Sequence, residues 1–185
     1  VDEFNKHLEE AFDASQNFKP NKADYLEGVW SGFKIAPDGD RRGDTAVDEK
    51  TVQKVGKVLT TVPKDFNANS KITRQLKAKA EMFKSGEGFD WATGEAMAYG
   101  SLLLQGFNIR LSGQDVGRGT FSQRHAKLYD QETEEKYVPL ENLDPKQANV
   151  EIHDSPLSEL AVMGFEYGYA LADPKTLVMW EGQFG

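Results

Sequence analysis

The sequence predicts an α/β fold in which a mostly parallel sheet is flanked by helices, and three stretches carry that prediction. A helical pattern over residues 91–105 stops at Gly106 and leads into a strand pattern at 107–111. Residues 150–153 alternate apolar with polar side chains, and a turn and a helical pattern follow them. Residues 176–180 form a further apolar run, which predicts a buried strand. Helices and strands that alternate in this way are typical of parallel sheets.

The length and composition fit one domain with a sizeable core. Of the 185 residues, 28% are charged and 38% are hydrophobic, a globular composition. The net charge of −8 argues against non-specific binding to nucleic acid or to an anionic membrane surface, and no apolar run is long enough to cross a bilayer. We therefore expect neither nucleic acid nor a membrane as a partner. Cysteine is absent, which excludes disulfides, zinc–thiolate sites and cysteine nucleophiles.

Residues 1–46 are predicted to be a helix and a connector that come from a preceding domain. Residues 2–14 have one apolar helical face, and glycines and prolines then punctuate the chain up to residue 46. Residues 47–185 are predicted to be the N-terminal part of one domain, truncated at its C-terminal end. The chain starts without methionine and stops just after the last strand pattern, so we expect it to be a segment of a longer polypeptide.

Two amphipathic helices are predicted between the connector and the first strand. The first covers residues 51–61 and the second covers residues 70–84, and each carries apolar side chains at helical spacing. Asp90 is a suitable N-cap for the helix that follows them. Further along, the polar stretch at residues 130–136 predicts a hairpin or a long loop.

The helix that follows the strand at 150–153 carries the first candidate functional residue. Ser155 is predicted to be its N-cap and Pro156 its first residue, which places Glu159 in the first turn. Ligands of open α/β sheets bind at the carboxyl ends of strands, where this turn is expected. A carboxylate in a first turn also complements the helix dipole whatever the function, so its position alone leaves both interpretations open.

The loop after the strand at 107–111 is the second candidate site. Guanidinium groups pair with carboxylates, so a loop that contains two arginines suits an anionic substrate. A solvated, salt-bridged surface loop is the alternative. The histidines of the chain lack metal-ligand spacing and no Gly-x-Ser-x-Gly elbow occurs, so we predict neither a metal site nor a serine hydrolase. The polar residues of the loop are Gln114, Asp115, Arg118, Ser122, Arg124 and His125.

Three long runs, residues 110–125, 155–169 and 180–185, together resemble one enzyme family. They are similar to the thiamine-diphosphate-dependent first component of the 2-oxoglutarate dehydrogenase complex. The resemblance extends over residues 50–185, and the segment 19–25 is also similar. It implies a pyrimidine-binding domain and oxidative decarboxylation of 2-oxoglutarate, with succinyl transfer to a lipoyl-bearing acyltransferase. A 2-oxoadipate or non-oxidative 2-oxoglutarate decarboxylase, or a non-catalytic interaction domain of the same fold, remains an alternative.

The resemblance also implies roles for individual residues. Glu159 would hydrogen-bond a ring nitrogen of the cofactor's aminopyrimidine and so favour the tautomer that deprotonates the thiazolium carbon. Gln183 and Phe184 would contact the cofactor too, although Phe184 fits nearly as well as a core aromatic residue beside a strand. The remaining residues would line or close the substrate channel, two of them near a dimer interface: Arg118, Arg124 and His125, and the pair Gln114 and Asp115.

One part of the family pattern is missing from these residues. In the family, a Gly-Asp-Gly…Asn motif on another domain holds the diphosphate and its magnesium, and no such motif occurs here. The resemblance therefore implies thiamine diphosphate and magnesium as cofactors, half of an active site in this chain, and a homodimer that completes it. It further implies the cytoplasm as the location if the source is bacterial, and the mitochondrial matrix if it is eukaryotic.

Overall fold

The computed structural model describes residues 1–16, 18–19, 27–34 and 43–183. The chain divides into two compact units, Val1–Arg42 and Gly43–Gly185. In the first unit, helix α1 spans Asp2–Gln16, which confirms the predicted N-terminal helix, and a short 3-10 helix spans Gly28–Trp30. Much of the predicted connector lies outside the described residues.

The second unit begins with three helices, and all three confirm the sequence predictions. They are α2 (Glu49–Leu59), α3 (Ser70–Ser85) and α4 (Trp91–Leu104). Each starts after a side chain that accepts a backbone hydrogen bond, as Asp90 does from Thr93 N at 2.7 Å. Such caps satisfy amide groups that have no partner inside the helix. In the described part of the chain, no helix is long and apolar enough to span a membrane.

A three-stranded parallel sheet lies at the centre of this unit, in the order β4-β1-β5. Strand β1 pairs in parallel with both neighbours, so the predicted α/β fold with a mostly parallel sheet is confirmed. The polar stretch at residues 130–136 belongs to the antiparallel hairpin of β2 and β3, which is one of the two predicted outcomes. The strands are β1 (Ile109–Gly113), β2 (Leu128–Tyr129), β3 (Lys136–Tyr137), β4 (Val150–Asp154) and β5 (Leu177–Glu181).

Strand β5 is exposed to a greater extent than the sequence predicts. Its five residues are half-buried or exposed, and Leu177 is exposed by 38%. Strand β5 is an edge strand of the three-stranded sheet. Among the described residues, it pairs with β1 on one side and has no neighbouring strand on the other. The prediction of a buried strand is therefore wrong, although the strand itself is present.

Helix α5 spans Glu159–Ala172 and begins three residues later than the sequence predicts. Its N-cap is Ser158, whose hydroxyl accepts from Ala161 N, whereas the hydroxyl of Ser155 accepts from Leu157 N in the preceding turn. The prediction that Ser155 is the N-cap is thus wrong, because two serines three positions apart offer the same capping chemistry. Glu159 nevertheless lies in the first turn, as predicted.

The two faces of the sheet are filled differently. Apolar side chains of the helices α2, α3 and α4 pack against Ile109 and Val150 on one face. On the other face, the guanidinium of Arg110 donates to both carboxylate oxygens of Glu166 on α5, at 2.7 and 2.9 Å, and also to Glu151 on β4. A buried charge is tolerated only when it is paired, so this ion pair fixes α5 against β1.

Candidate active site at the carboxyl ends of the strands

The carboxyl ends of the three parallel strands bring the predicted site residues to one edge of the sheet. Gly113, the last residue of β1, is in register with Asp154 of β4 and Glu181 of β5. The loop that carries the polar residues leaves β1 at this edge, and the turn that leads into α5 leaves β4 beside it. Two runs that are far apart in sequence therefore meet, because parallel strands end at the same edge.

Glu159 is the half-buried carboxylate at the centre of this edge. Its Oε1 accepts a hydrogen bond of 2.5 Å from the backbone N–H of Gln183, which follows β5. The side chain of Gln183 in turn donates from Nε2 to the hydroxyl of Thr120 in the loop, at 3.2 Å. Gln183 thus connects the first turn of α5 with the loop after β1. The structure brings together these two residues, which the sequence assigned to the cofactor separately.

Gly113 makes the close approach of β1 and β5 possible at this edge. Its φ of +149° is a value that side chains disfavour. A Cβ at this position would collide with the carbonyl oxygen of Glu181 and would lie 3.0 Å from Cγ1 of Val116. The loop can therefore leave β1 directly beside the end of β5 only if residue 113 lacks a side chain.

Arg124 is buried, and its guanidinium is fully engaged by protein atoms. Only 7% of the residue is exposed. Its donors reach Glu95 on α4 at 2.7 and 3.1 Å, the carbonyl oxygen of Val116 at 2.8 Å, and both carboxylate oxygens of Glu181, one of them at 3.0 Å. Burial lowers the pKa of Arg124, but the hydrogen bonds that it donates to Glu181 and Glu95 hold that pKa above its ordinary value. An arginine has five N–H donors, and this arrangement uses all of them.

Arg118 lies at the surface of the loop and is half exposed. Its guanidinium bonds the carboxylate of Asp115 and the hydroxyl of Ser122. Its side chain is 49% exposed, so the pair with Asp115 is solvated. The carbonyl oxygen of Arg118 accepts the backbone N–H groups of both Arg124 and His125, each at 3.0 Å. The backbone of Arg118 therefore shapes the loop, whereas its side chain faces a solvent-accessible pocket.

His125 is half-buried beside Arg118 and adopts a positive φ of 47°. Burial lowers the pKa of His125, and the cations of Lys79 and Arg118 lower it further. The imidazole is therefore predominantly neutral at pH 7. His125 and Arg118 both line a polar pocket of about 380 Å³ that Asp115 and Asp154 also border.

Two of the remaining predicted residues lie in the loop, and a third lies outside the described residues. Gln114 is half-buried directly after β1, and Asp115 follows it with a φ of +56°. The structure brings both of them to the same edge as Glu159. Phe184, the predicted aromatic contact of the cofactor, lies outside the described residues.

Two buried polar atoms under this edge make no hydrogen bond with other described residues. They are the hydroxyl of Ser112 on β1 and the indole N–H of Trp180 on β5, which are in register. A Cβ built on Gly182 would lie 3.1 Å from the Trp180 ring and 3.7 Å from Oε2 of Glu159. Unpaired buried groups of this kind call for a partner. A carboxylate, two unpaired polar atoms and a glycine beside them fit the polar edge of an aminopyrimidine.

The residues that sequence reasoning missed are the carboxylate partners of Arg124. Glu181 lies within the run that resembles the enzyme family, but nothing in that run shows which cation it meets. Glu95 lies on α4, which gives no polar signal that would link it to a loop 29 residues away. Among the described residues, no group of three or more histidine, cysteine, aspartate or glutamate side chains is arranged to hold a metal ion.

Comparisons with known proteins show the family of this chain. Residues 87–185, more than half of the chain, match the family described as transketolase, pyrimidine binding domain. The 2-oxoglutarate dehydrogenase E1 components of Brucella anthropi and Brucella canis are each 55% identical to the chain over 185 residues, and that of Brucella melitensis is 54% identical. Each match covers 99% of this chain and 18% of the relative, so the chain spans less than a fifth of their length. The resemblance inferred from the sequence is thereby confirmed, and the chain belongs to the transketolase pyrimidine-binding domain family.

Proposed function

We propose that the chain is the pyrimidine-binding part of a thiamine-diphosphate-dependent 2-oxoglutarate dehydrogenase. The whole enzyme would decarboxylate 2-oxoglutarate and pass the succinyl group to the lipoyl group of a partner acyltransferase. The observation that carries this proposal is Glu159, a carboxylate held at the strand ends by the N–H of Gln183. The name shared by the relatives that are 55% identical to the chain supports the choice of substrate.

Glu159 is the residue of this chain that would act on the cofactor. Bound thiamine diphosphate would supply the electron sink that decarboxylation of a 2-oxo acid needs. Glu159 would hold a hydrogen bond to a ring nitrogen of the aminopyrimidine, and the Gln183 N–H restrains the carboxylate by its Oε1. An aspartate at this position would be shorter by one methylene and would leave that bond unmade.

The diphosphate and its magnesium ion would be held by another domain of the enzyme. The sequence lacks the Gly-Asp-Gly…Asn motif, and the described residues offer no cluster of metal ligands. This chain would therefore contribute the pyrimidine half of the site. The cofactor would bind firmly only when both halves are assembled.

The exposed face of α5 supports assembly as a homodimer. Four apolar side chains at helical spacing are exposed there, by 74% for Leu160 and by 68% for Tyr167. The two glycines between them have no neighbouring atom within 4 Å of a built Cβ. An exposed apolar face of this kind marks an interaction surface, and a second copy offers the same face across a two-fold axis. The stripe consists of Leu160, Met163, Gly164, Tyr167, Gly168 and Leu171.

Arg118 and His125 would face the anionic substrate. Arg118 keeps a half-exposed guanidinium on the polar pocket, and His125 borders the same pocket. Guanidinium groups match carboxylates, which 2-oxoglutarate carries at both ends. We place the enzyme in the cytoplasm for a bacterial source and in the mitochondrial matrix for a eukaryotic one, where the complex would work.

The substitution Glu159→Gln in the full-length enzyme tests the proposed function. Glutamine can still accept the Gln183 N–H through its amide oxygen, so we expect the melting temperature to change little. The decarboxylation rate should fall by about 10²- to 10⁴-fold, the usual cost of losing an acid–base group. Glu87→Gln, which changes an exposed glutamate between α3 and α4, is the control. Full decarboxylase activity in purified Glu159→Gln would remove Glu159 from the mechanism.

A further inference from the structure

We propose that Arg124 is a positioning residue for Glu159 and not a ligand of the substrate. Its buried guanidinium fixes the end of β5, and the end of β5 fixes the carboxylate of Glu159. The inference rests on the proposed role of Glu159 and adds a second residue to the same site. It reassigns Arg124, which the sequence alone placed in the substrate channel.

The guanidinium of Arg124 has no donor left for a substrate. All five of its donors are used by Glu95, Glu181 and the carbonyl oxygen of Val116, and 7% of the residue is exposed. A substrate carboxylate could reach this buried guanidinium only by displacing the carboxylate of Glu95 or Glu181, which would then lose its partner. Leaving one member of a buried ion pair alone is strongly unfavourable. The role of Arg124 is therefore to hold protein atoms.

A short segment of the chain connects the partner of Arg124 to Glu159. Glu181 is the last residue of β5, and only Gly182 separates it from Gln183. The N–H of Gln183 donates to Oε1 of Glu159. Glycine restricts the backbone less than any other residue, so Gly182 by itself would leave the Gln183 amide free to move. The bidentate pair between Arg124 and Glu181 anchors this short segment at its β5 end, and the side chain of Gln183 holds the other end to Thr120.

Arg124 is also bound to helix α4, through Glu95. Glu95, on α4, accepts from Nε and Nη2 of Arg124 and also from the hydroxyl of Tyr99, at 2.9 Å. Helix α4 packs into the apolar core through Leu103. Arg124 therefore ties the end of β5 to the rigid core of the domain, whereas a pair within the loop would move with the loop. A planar, bidentate guanidinium is suited to such a fixed geometry.

The test compares two substitutions in the full-length enzyme, Glu181→Gln and Glu151→Gln. The two glutamates are closely matched. Each has a side chain that is 32% exposed, each pairs with an arginine whose side chain is exposed by 12% or less, and each lies on a strand next to β1. Glu151, however, lies three residues before the end of β4, away from the segment that holds Glu159. A purely structural loss of one ion pair would affect both variants alike.

The first readout requires no cofactor and no turnover. Amide hydrogen exchange in the cofactor-free enzyme reports whether the Gln183 N–H stays bonded to Glu159. We expect exchange at Gln183 to accelerate by about tenfold or more in Glu181→Gln and to stay unchanged in Glu151→Gln. Equal exchange at Gln183 in the two variants would overturn the inference.

The second readout separates catalysis from binding. A misplacement of about 1 Å can cost about 10²-fold in rate, so we expect kcat of Glu181→Gln to fall about 10- to 10²-fold. The KM for 2-oxoglutarate should stay within about twofold, because Arg124 does not touch the substrate. A raised KM with an unchanged kcat would instead return Arg124 to the substrate channel. If Glu181→Gln does not assemble, Glu181→Asp carries the same comparison, because it retains the charge and shortens the reach.

The outcome is distinguishable from a failure of the proposed function. If Glu159→Gln is fully active, the function assigned to Glu159 is wrong. If Glu159→Gln is inactive and Glu181→Gln behaves like Glu151→Gln, only the positioning role of Arg124 is wrong.

Discussion

The backbone N–H of Gln183 donates a hydrogen bond of 2.5 Å to Oε1 of Glu159, which lies 24 residues earlier in the chain. This bond joins the end of β5 to the first turn of α5. Helix α5 is itself held against β1 by the buried pair of Arg110 and Glu166. The orientation of the Glu159 carboxylate therefore depends on where β5 ends and where α5 begins, and we expect any change that shifts the end of β5 to move the carboxylate of Glu159.

Gly113→Ala is predicted to destabilise the domain and to disturb this edge. A Cβ at residue 113 would collide with the carbonyl oxygen of Glu181, and the φ of +149° is unfavourable for alanine. Backbone strain of this kind costs about 1–3 kcal/mol, so the melting temperature should fall. Urea denaturation of the assembled enzyme measures the effect.

Gly94→Ala is the matched control for Gly113→Ala. Gly94 lies in α4, and a Cβ there would meet no atom within 4 Å. Alanine is the better helix former by about 0.8–1 kcal/mol, so this change should be neutral or stabilising. A Gly113→Ala variant as stable as Gly94→Ala would show that the strand ends tolerate a larger separation.

Arg118→Ala is predicted to weaken substrate handling more than folding. The side chain is half exposed and paired with Asp115, and exposed pairs contribute at most about 1 kcal/mol. A hydrogen bond from a charged group to a substrate is worth about 1.5–3 kcal/mol, so KM for the 2-oxo acid should rise about 10- to 10²-fold. The melting temperature should barely change, because the carbonyl oxygen that shapes the loop is retained.

Lys54→Ala provides the comparison for Arg118→Ala. Lys54 forms a surface pair with Asp144, and its side chain is exposed by 42%, against 49% for Arg118. Steady-state kinetics and thermal melting of both variants show whether loss of the Arg118 side chain raises KM without lowering the melting temperature. If KM is the same in the two variants, the side chain of Arg118 is a solvated surface group.

The stability of the enzyme is predicted to depend on pH through His125. Burial lowers the pKa of His125, and the cations of Lys79 and Arg118 lower it further. A hydrogen bond with the backbone of Ser122 raises this pKa, but the net shift is downward. The unfolded chain keeps the ordinary value of 6.5, so it takes up a proton at a higher pH than the folded chain does. The contribution of His125 to the free energy of unfolding is therefore fully present above pH 6.5 and is lost as the pH falls through the range below it.

His125→Gln removes this titration and isolates its contribution. On going from about pH 7.5 to about pH 5, the melting temperature of the unmodified enzyme should fall further than that of the variant. Thermal melting of both proteins across this range is the measurement. Parallel pH profiles would show that other groups, and not His125, account for the acid sensitivity.

The sequence by itself determined the elements and the place of the central carboxylate. The helical periods of α2, α3 and α4, the Asp90 cap and the strand patterns are local signals, because capping and side-chain period act within a few residues. The fold class followed from their alternation. Glu159 could be placed in a first helical turn even though the choice between Ser155 and Ser158 as N-cap was wrong, since both choices leave it there.

Only the tertiary structure decided which charges meet and what each one does. Arg118 and Arg124 lie six positions apart in one loop and are equivalent by sequence, yet one is 49% exposed in its side chain and the other 6%. The difference arises because Glu95 and Glu181, which are 29 and 57 residues from Arg124, converge on it through the packing of α4 and the register of β5. Partners at such separations leave no local pattern. The hydrogen bond between Gln183 and Glu159 exists for the same physical reason: parallel strands end together, and the residues after them meet only once the sheet has formed.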